Sequence, residues 1–351
     1  MKTTTKINVL LCSIGLIGIM LFGSCSATSS ISMEVLQPAQ ITIPSHIKKV
    51  AVVNRSLPAK GEGFVNFLEG FFTGETIRGD RSGSDKCVNG VVNKLNASPR
   101  LGAILVGSHN YKGTGTREFP IPLDWNDVDK ICKLYNADAI VMLETFDSDI
   151  IFNQGKSSHV EKKNNKDTVI IDYKANLKLN VNSGWRIYDN FNKKIVDENT
   201  FTDNKGWDVT GKTPGDALSK LPNKRDAVDA SGYFSGEQMA IRISPNWTRV
   251  YRLYYKKGHD DLKLTKKMVK ANNWDAAIIV WQKLIQNPDK EIAGRAAYNM
   301  ALASEYKGNL PLALEWANKS LKTYGNKKAS SYINTINRRI MDQERLNDQM
   351  K

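Results

Sequence analysis

The sequence feature that most constrains the fold is a repeat with a period of 36 positions near the carboxyl terminus. Asn273 begins the run Asn-Trp-Asp-Ala-Ala-Ile, and Asn309 begins the corresponding run Asn-Leu-Pro-Leu-Ala-Leu. Trp281 in the first copy corresponds to Ala317 in the second. Internal similarity at this period indicates stacked helix-turn-helix units. The chain from Lys270 onward is therefore predicted to be entirely helical.

The second unit shows this pattern more completely than the first. Gly308 suits a left-handed helix end, and small residues such as Ala301 and Ala313 allow two helices to approach closely. The first unit has a clear second helix, but residues 262–270 make a poor first helix. The units resemble the tetratricopeptide repeat (TPR). The resemblance assigns these residues to the motif: Asn273, Trp274, Ala277, Ile278, Trp281, Tyr298, Met300, Ala301, Gly308, Ala313, Ala317 and Leu321.

A terminal helix is predicted to cover the last open end of the stack. Ile333, Ile336 and Ile340 recur on one helical face, as a capping helix requires. The TPR resemblance implies that the stack offers a groove for a peptide or for a helix of a partner protein.

The chain before the repeats predicts a mixed sheet with flanking helices. Short apolar runs at residues 49–53, 101–106 and 139–143 indicate buried strands, and helical patterns lie between them. Alternation of strand and helix favours parallel pairing. The remaining elements predicted in this part are helices at 64–72, 86–95, 124–135, 216–221 and 226–243, a hairpin of residues 168–188 and 194–202, a charged turn at 160–167, and a strand at 247–255.

The predicted fold class is therefore α+β or α/β, with a mixed-sheet domain followed by an all-α array of TPR-like helical hairpins. The sheet domain is assigned to residues 41–257 and the helical array, with its capping helix, to residues 258–351. The strands at 50–53, 101–106 and 136–143 resemble, at the level of fold, the envelope-lipoprotein domains related to curli secretion factors and the amino-terminal domain of TolB. That resemblance implies no active residue.

The amino terminus predicts an exported protein. Lys2 and Lys6 precede an apolar run at residues 9–22, which has the layout of a secretory signal and is too short to span a bilayer. Residues 21–25, Leu-Phe-Gly-Ser-Cys, resemble the lipobox of bacterial lipoproteins, although phenylalanine stands where that motif prefers leucine.

The lipobox resemblance implies that residues 1–24 are a signal peptide, that Cys25 is acylated, and that residues 25–40 form a tether. The alternative is an ordinary cleaved signal in which Cys25 is incidental. The lipobox, residues 46–56, residues 235–258 and the repeats together resemble an uncharacterised family of Bacteroidetes lipoproteins with a carboxy-terminal TPR segment. Acidic clusters after the acylated cysteine resemble the surface-export signal of Bacteroidetes-type lipoproteins. Because no such cluster follows Cys25, we expect a position on the periplasmic side of the outer membrane.

The charge of the chain limits its partners. The net charge is +14, and the residues from Lys256 onward contribute a large share of the excess. A basic surface favours anionic lipid headgroups, acidic proteins or nucleic acid, and export makes nucleic acid the least plausible of these. We expect the membrane, through Cys25, and an envelope protein, through the repeats, as partners, with no nucleic acid, nucleotide, cofactor or metal.

Two motifs suggest ligands, but their context favours structural roles. Residues 206–213 satisfy the literal phosphate-loop pattern, yet the preceding residues are polar and Pro214 follows directly. We expect these residues to lead into a helix. Asp124, Asp127 and Asp129 lack the spacing of a calcium loop, and acidic residues in the first turn of a helix interact favourably with its dipole.

The leading functional hypothesis is a non-enzymatic interaction protein, and the alternative is an envelope hydrolase or carbohydrate-binding protein. The alternative would use the carboxylates of Glu144, Asp147 and Asp149, or the aromatic strand at residues 247–255. None of the four histidines is spaced with another metal ligand.

Two modifications are also considered. Asp-Thr-Val at residues 167–169 resembles the O-glycosylation site of Bacteroidetes periplasmic proteins, which makes Thr168 a candidate for modification. Cys87 and Cys132 either form a disulfide or remain buried thiols.

Overall fold

The computed structural model of the protein describes residues 27–56, 79–107, 111, 113–114 and 117–351. The predicted signal peptide, Cys25 and the predicted helix at residues 64–72 lie outside the described residues. No helix in the described ranges is long and apolar enough to cross a membrane. The elements are β1 (Thr28–Gln37), β2 (Lys49–Asn54), α1 (Gly79–Asn96), β3 (Gly102–Leu105), α2 (Trp125–Tyr135), β4 (Ala139–Lys163), β5 (Lys166–Asp189), β6 (Lys194–Gly211), α3 (Pro214–Ser219), α4 (Lys224–Ile243), β7 (Asn246–Tyr255), α5 (Asp260–Lys270), α6 (Trp274–Leu284), α7 (Lys290–Tyr306), α8 (Leu310–Lys322) and α9 (Lys328–Gln349).

The chain divides into two compact units. The sheet unit comprises Glu34–Val250 and Asn337–Lys351. The helical unit comprises Tyr251–Ile336 together with the described part of Met1–Met33. Each of β1, β7 and α9 contributes residues to both units.

The sheet unit contains the mixed sheet that the sequence predicts. Its five strands lie in the order β3-β2-β4-β5-β6, with β2 parallel to β3 and β4, and with β4, β5 and β6 antiparallel. Val50 and Val52 pack in the core beneath α1 and α4, whereas Ala51 and Val53 pack on the opposite face beneath α2. The run at residues 50–53 is continuously apolar because a central parallel strand is buried on both faces.

Helices α1 and α4 approach each other through glycine. A Cβ atom at Gly236 would lie 1.8 Å from the carbonyl oxygen of Cys87, and one at Gly232 would lie 2.2 Å from the carbonyl oxygen of Gly83. No other side chain fits at these positions without moving the helices apart.

Strand β4 is longer than the predicted strand at residues 139–143 and forms a second hairpin with β5, next to the predicted hairpin of β5 and β6. The structure replaces the predicted charged turn at residues 160–167 with a turn of two residues, Asn164 and Asn165, whose φ angles are 53° and 58°. Asparagine tolerates this left-handed conformation, and two such residues make the favoured short hairpin turn. The charged residues around the turn lie on strands exposed on both faces, where polar side chains are at no disadvantage.

Residues expected in a flexible tether form a strand instead. β1 occupies Thr28–Gln37 and pairs with β7 in a separate two-stranded sheet. Met33 and Val35 are buried and Ile31 is half-buried, which is the alternation of a strand with one covered face. The predicted strand at 247–255 is confirmed as β7, but it lies outside the five-stranded sheet.

The helical unit consists of antiparallel helices joined by short turns. α5 forms although its sequence is a poor helix pattern, because His259 caps its first turn and Leu262, Thr265 and Val269 are buried. The predicted terminal helix is α9, on which Ile336 is fully buried.

Candidate functional site

The two helix-turn-helix units have the same turn geometry at a spacing of 36 residues. Asn272 and Gly308 both take the left-handed conformation, with φ of 57° and 79°. The next residues, Asn273 and Asn309, have φ, ψ of −91°, 71° and −89°, 80°. Each of these side chains accepts a hydrogen bond from the backbone N–H three residues later and caps the second helix. The repeat seen in the sequence is therefore also a repeat of backbone structure.

The residues assigned to the repeat motif lie mainly between the helices. Trp274, Ala277, Trp281, Tyr298, Met300, Ala301, Ala313 and Ala317 are buried, Ile278 and Leu321 are half-buried, and Asn273 and Gly308 are exposed at the turns. Residues buried in this way hold the helices together. They do not form a surface for a partner, so the recognition surface must be sought among exposed residues of the same unit.

One face of α7 is occupied by the chain's own strand. Asn299 is fully buried, and its amide group hydrogen-bonds both backbone groups of Tyr255 at the end of β7. The side-chain oxygen accepts from the Tyr255 N–H, and the side-chain nitrogen donates to the Tyr255 carbonyl, both at 2.8 Å. Asn299 thus pairs with the strand as a neighbouring strand would.

A buried ion pair on the same helix strengthens this attachment. Glu305 is 2% exposed and accepts hydrogen bonds from Arg252 on β7, one of them at 2.9 Å, and from the hydroxyl of Tyr332 on α9 at 2.6 Å. Burial and then the adjacent Glu305 carboxylate raise the pKa of Tyr332, which keeps its hydroxyl protonated as a donor. This face of α7 is therefore closed to a partner peptide.

The sequence pattern does not predict this contact. Asn299 lies in the apolar run Ala-Ala-Tyr-Asn-Met-Ala-Leu-Ala of residues 296–303, and a buried asparagine requires hydrogen-bond partners. This isolated polar residue indicates that a hydrogen-bond partner is present, but it does not identify Tyr255 as that partner.

Exposed apolar side chains remain on the outer surfaces of the helical unit. Leu264 on α5 is 48% exposed, Ile279 on α6 is 56% exposed, and Leu312 on α8 is 37% exposed. Ile279 lies opposite the buried face of α6 that Trp274 and Trp281 form. Exposed apolar residues of this kind are available for contact with another protein.

The carboxylates considered for hydrolysis do not form an open pair. Glu144 is fully buried and contacts Arg55 at 3.2 Å, Arg186 at 3.4 Å and the hydroxyl of Tyr188 at 2.8 Å. Burial raises the pKa of Glu144, whereas the hydrogen bond from Tyr188 and the two arginines act in the opposite direction. A buried carboxylate that hydrogen-bonds two guanidinium groups stabilises the surrounding structure and is not accessible to a substrate.

The other two carboxylates share one arginine. Arg117 donates to Asp147 at 2.5 Å and to Asp149 at 2.9 Å. A hollow of about 260 Å³ lies further along the hairpin, where Tyr173 and Ala175 face Pro214 and Ala217. That volume is below the usual range for small-molecule sites. Neither feature supports the hydrolase alternative.

The aromatic strand retains exposed rings. Trp247 is 53% exposed and Tyr251 is 69% exposed on β7, whereas Tyr254 and Tyr255 are buried. The sequence favours a strand with one face in a core and the other covered by the repeats. In the described part of the chain, one face of β7 is covered, as expected. The rings of Trp247 and Tyr251 on the other face remain accessible.

The remaining sequence candidates have structural positions. Residues 206–211 belong to β6 and pair with β5, Thr213 caps α3, and Pro214 starts it. Backbone amides engaged in a sheet cannot surround a phosphate. Asp124 caps α2, as expected from its position. Thr168 lies on β5 beside Glu161 and is half-buried.

Cys87 and Cys132 are free buried thiols on opposite faces of the sheet. This arrangement excludes a disulfide between them in the folded protein. Among the residues that the structure describes, no group of three or more His, Cys, Asp or Glu side chains could hold a metal ion.

The fold defines a class of protein, in which an α+β sheet unit is combined with a unit of paired helices. The chain belongs to the family described as Domain of unknown function (DUF8603), whose model matches residues 47–255. A second model, Domain of unknown function (DUF6340), matches residues 263–338. No curated protein matches the chain.

Two solved structures of one protein resemble the chain weakly. The chain is similar to PelC from Paraburkholderia phytofirmans, solved as a dodecamer, with 11% identity over 61% of this chain and 98% of that chain and a TM-score of 0.24. It is also similar to a point variant of PelC from the same organism, with 12% identity over 61% and 99% of the two chains and a TM-score of 0.22. TM-scores this low support no argument about fold or function.

Proposed function

We propose that this protein is a lipid-anchored lipoprotein on the periplasmic side of the outer membrane that acts, without catalysis, by binding another envelope protein through its helical unit. The observation that supports the proposal is the repeated turn geometry at Asn273 and Asn309. Paired helices with the same caps at a regular spacing are a property of TPR-like stacks, and such stacks act as binding surfaces. The acylated residue in this proposal is Cys25.

The structure narrows the surface on which a partner would bind. The face of α7 that contains Asn299 and Glu305 is filled by residues of β7. Among the exposed aliphatic side chains on the helices of this unit, Ile279 is the most exposed. We therefore assign the partner contact to the outer face of α6.

Site-specific photo-crosslinking in cells tests this assignment. A photoreactive amino acid replaces Ile279, and the same residue is placed at Ile171 on the sheet unit as a matched control, because Ile171 is an apolar side chain with 47% exposure. We expect one defined crosslinked protein from position 279 and none from position 171. Equal crosslinking from both positions would rule out recognition through α6.

Deletion of residues 258–351 would be a poorer test. It removes the end of α9, where Gln349 hydrogen-bonds the backbone of Ala39 and accepts from Arg100 within the sheet unit. Loss of binding after that deletion could result from an unstable sheet unit, so point substitutions are preferable.

The lipid anchor has its own test. The native protein should contain a fatty-acylated amino-terminal cysteine by mass spectrometry, and the Cys25→Ser variant should lose both the lipid and membrane association. An intact leader or an unmodified start in the native protein would refute the anchor.

Carbohydrate binding is the second candidate, and the exposed ring of Trp247 favours it. Sugar rings stack on accessible aromatic faces, and a titration of tryptophan fluorescence with envelope oligosaccharides would detect this. Trp247→Ala should abolish the response, whereas Trp316→Ala on α8 should not. A response that survives Trp247→Ala would remove β7 from consideration.

A further inference from the structure

The start of the described chain is attached to the helical unit. The backbone N–H of Lys256 donates to the carbonyl of Ala27 at 3.0 Å, next to the β1–β7 pairing. Cys25 precedes Ala27 by two positions, and two residues of chain extend at most about 7 Å. Whatever is attached to Cys25 is therefore held close to Lys256.

Several cations surround the same strand end. Arg295 lies over the ring of Tyr255 at 5.5 Å, and the ammonium of Lys328 lies over that ring at 5.9 Å. Arg295 also donates to the carbonyl of Lys257 at 2.9 Å. The Tyr255 hydroxyl donates to Asn326 at 2.9 Å, and Lys327 and Lys328 directly follow Asn326 in the chain. We call Lys256, Lys257, Arg295, Lys327 and Lys328 the basic patch.

The basic patch is poorly neutralised. Within the described residues, Arg295 forms an ion pair with Glu291, whereas no carboxylate lies within ion-pair distance of the four lysines. The four lysines lie at residues 256–257, directly after β7, and at residues 327–328, where α9 starts. Their uncompensated charges produce a positive potential that attracts anions over about one Debye length, which is about 8 Å at physiological ionic strength.

We propose that the basic patch binds the anionic lipid headgroups of the membrane in which the acyl chains of Cys25 insert. This inference rests on the proposed lipid anchor, because the anchor brings the membrane surface to the patch. A polybasic patch beside an acyl anchor adds electrostatic attraction to anionic headgroups. The patch also fixes which side of the helical unit faces the bilayer.

The positions of the charges favour lipid over a protein partner. Lys256 of the patch is hydrogen-bonded to Ala27, two positions after the predicted attachment point, so the anchor brings headgroups to this end of the patch. The proposed partner contact at Ile279 lies on α6, and α6 contributes no residue to the patch.

Vesicle binding by the mature chain with Cys25→Ser tests the patch independently of acylation. The test variant replaces Lys256, Lys257 and Lys327 by glutamine, which leaves Arg295 and Lys328 on the ring of Tyr255. The control variant replaces Lys162, Lys163 and Lys166 by glutamine; these are three exposed lysines at the hairpin turn of the sheet unit. Both variants lose the same charge.

The vesicles contain phosphatidylcholine alone, or phosphatidylcholine with phosphatidylglycerol, at low salt. A lysine near an anionic surface strengthens binding roughly fivefold, so the test variant should bind phosphatidylglycerol vesicles about 100-fold more weakly than the unsubstituted chain. The control variant should lose much less, and none of the proteins should bind neutral vesicles.

Equal losses in the test and control variants would overturn the proposal, because they would indicate attraction by net charge alone. Unchanged binding by the test variant would also overturn it, and a lost partner crosslink in that variant would assign the lysines to protein recognition instead. Because Cys25 is absent from these proteins, failure here leaves the anchor intact. Failure of the anchor appears separately, as native protein without lipid on Cys25.

Discussion

Replacement of Asn299 by alanine tests whether the end of β7 is an integral part of the helical unit. The substitution removes two hydrogen bonds of 2.8 Å, one to each backbone group of Tyr255. Asn299 is fully buried and Tyr255 is 6% exposed, so water cannot replace the lost partner without opening the unit.

The expected loss of stability follows from the two unsatisfied groups. A buried donor or acceptor without a partner costs about 1–3 kcal/mol, so the N–H and the carbonyl of Tyr255 together cost about 2–6 kcal/mol. The variant no longer has to desolvate the amide of Asn299, which places our expectation in the lower half of that range, about 2–4 kcal/mol. A domain of this size would lose much of its stability.

Asn318→Ala is the matched control for this change. Asn318 is the same residue type on the neighbouring helix α8, but it is half-buried and donates a single bond of 3.0 Å to the carbonyl of Leu314 in its own helix. We expect a loss below about 0.5 kcal/mol, as for most surface substitutions.

Hydrogen exchange followed by mass spectrometry measures the effect where it occurs. Because the chain has two units, a single unfolding midpoint is not a well-defined measure of one of them. In Asn299→Ala, peptides that cover residues 251–257 and 294–306 should exchange 30-fold faster or more, while the Asn318→Ala protein should match the wild type. Similar exchange in both variants would refute the conclusion that Asn299 holds β7.

Three further predictions concern the sheet unit. Glu144→Gln should lower the local stability of the sheet unit by about 1–3 kcal/mol, because it removes the buried carboxylate that accepts from Arg55, Arg186 and Tyr188; wild-type hydrogen exchange in the peptides that cover residues 139–146 and 183–189 would contradict this. Gly236→Ala should destabilise the sheet unit by at least about 2 kcal/mol because its Cβ would meet the carbonyl of Cys87 at 1.8 Å, whereas Gly215→Ala, whose Cβ would meet no atom within 4 Å outside its own helix and chain neighbours, should be tolerated; equal hydrogen exchange of α1 and α4 in the two variants would be inconsistent with the close helix contact. Cys87 and Cys132 should resist alkylation at pH 8 until the protein unfolds, because burial raises the pKa of Cys132 to about 12 and raises that of Cys87 as well; rapid modification of either native thiol, located by peptide mass spectrometry, would show that it is accessible.

Local patterns predicted the elements whose causes are local. The turn before α8 is predicted from Gly308 and Asn309, and the structure confirms the left-handed conformation of Gly308; the cap by Asn309 is an additional finding. The strands at 49–53 and 139–143 were recognisable because continuous burial leaves a continuous apolar run. In each case the residues that determine the structure are adjacent in the sequence.

Contacts between distant residues were not predictable in this way. The helical unit depends on the hydrogen bonds between Asn299 and the backbone of Tyr255. An asparagine side chain can form such bonds with any peptide group, so the sequence does not identify its partner. Similarly, Glu144 suggested a catalytic acid from its position after an apolar strand. Its actual role depends on Arg55 and Arg186, which come from two other strand regions. Sequence spacing contains no information about such partners.

The strand β1 shortens the link between the proposed anchor at Cys25 and the folded protein. Residues 25–40 as a flexible chain would span about 20 Å on average and about 50 Å when extended. With β1 starting at Thr28 and Ala27 bonded to Lys256, the link from Cys25 to the folded protein shortens to about 7 Å. An anchor on so short a link restricts the orientation of the helical unit at the membrane, whereas a long tether would not.

Insertion of twelve glycine and serine residues directly before Ala27 tests this consequence. Acylation of Cys25 and the fold should be unchanged, since no hydrogen bond of the described chain is altered. The basic patch, however, would no longer be held at the bilayer, and only its own attraction to headgroups would bring it there. In membranes that contain the acylated protein, protease cleavage after Lys256 and Lys257 should become faster than in the protein without the insertion. Cleavage at Lys162 and Lys163 on the sheet unit provides the reference. If the insertion leaves the ratio of the two rates unchanged, the short link does not hold the patch against the membrane.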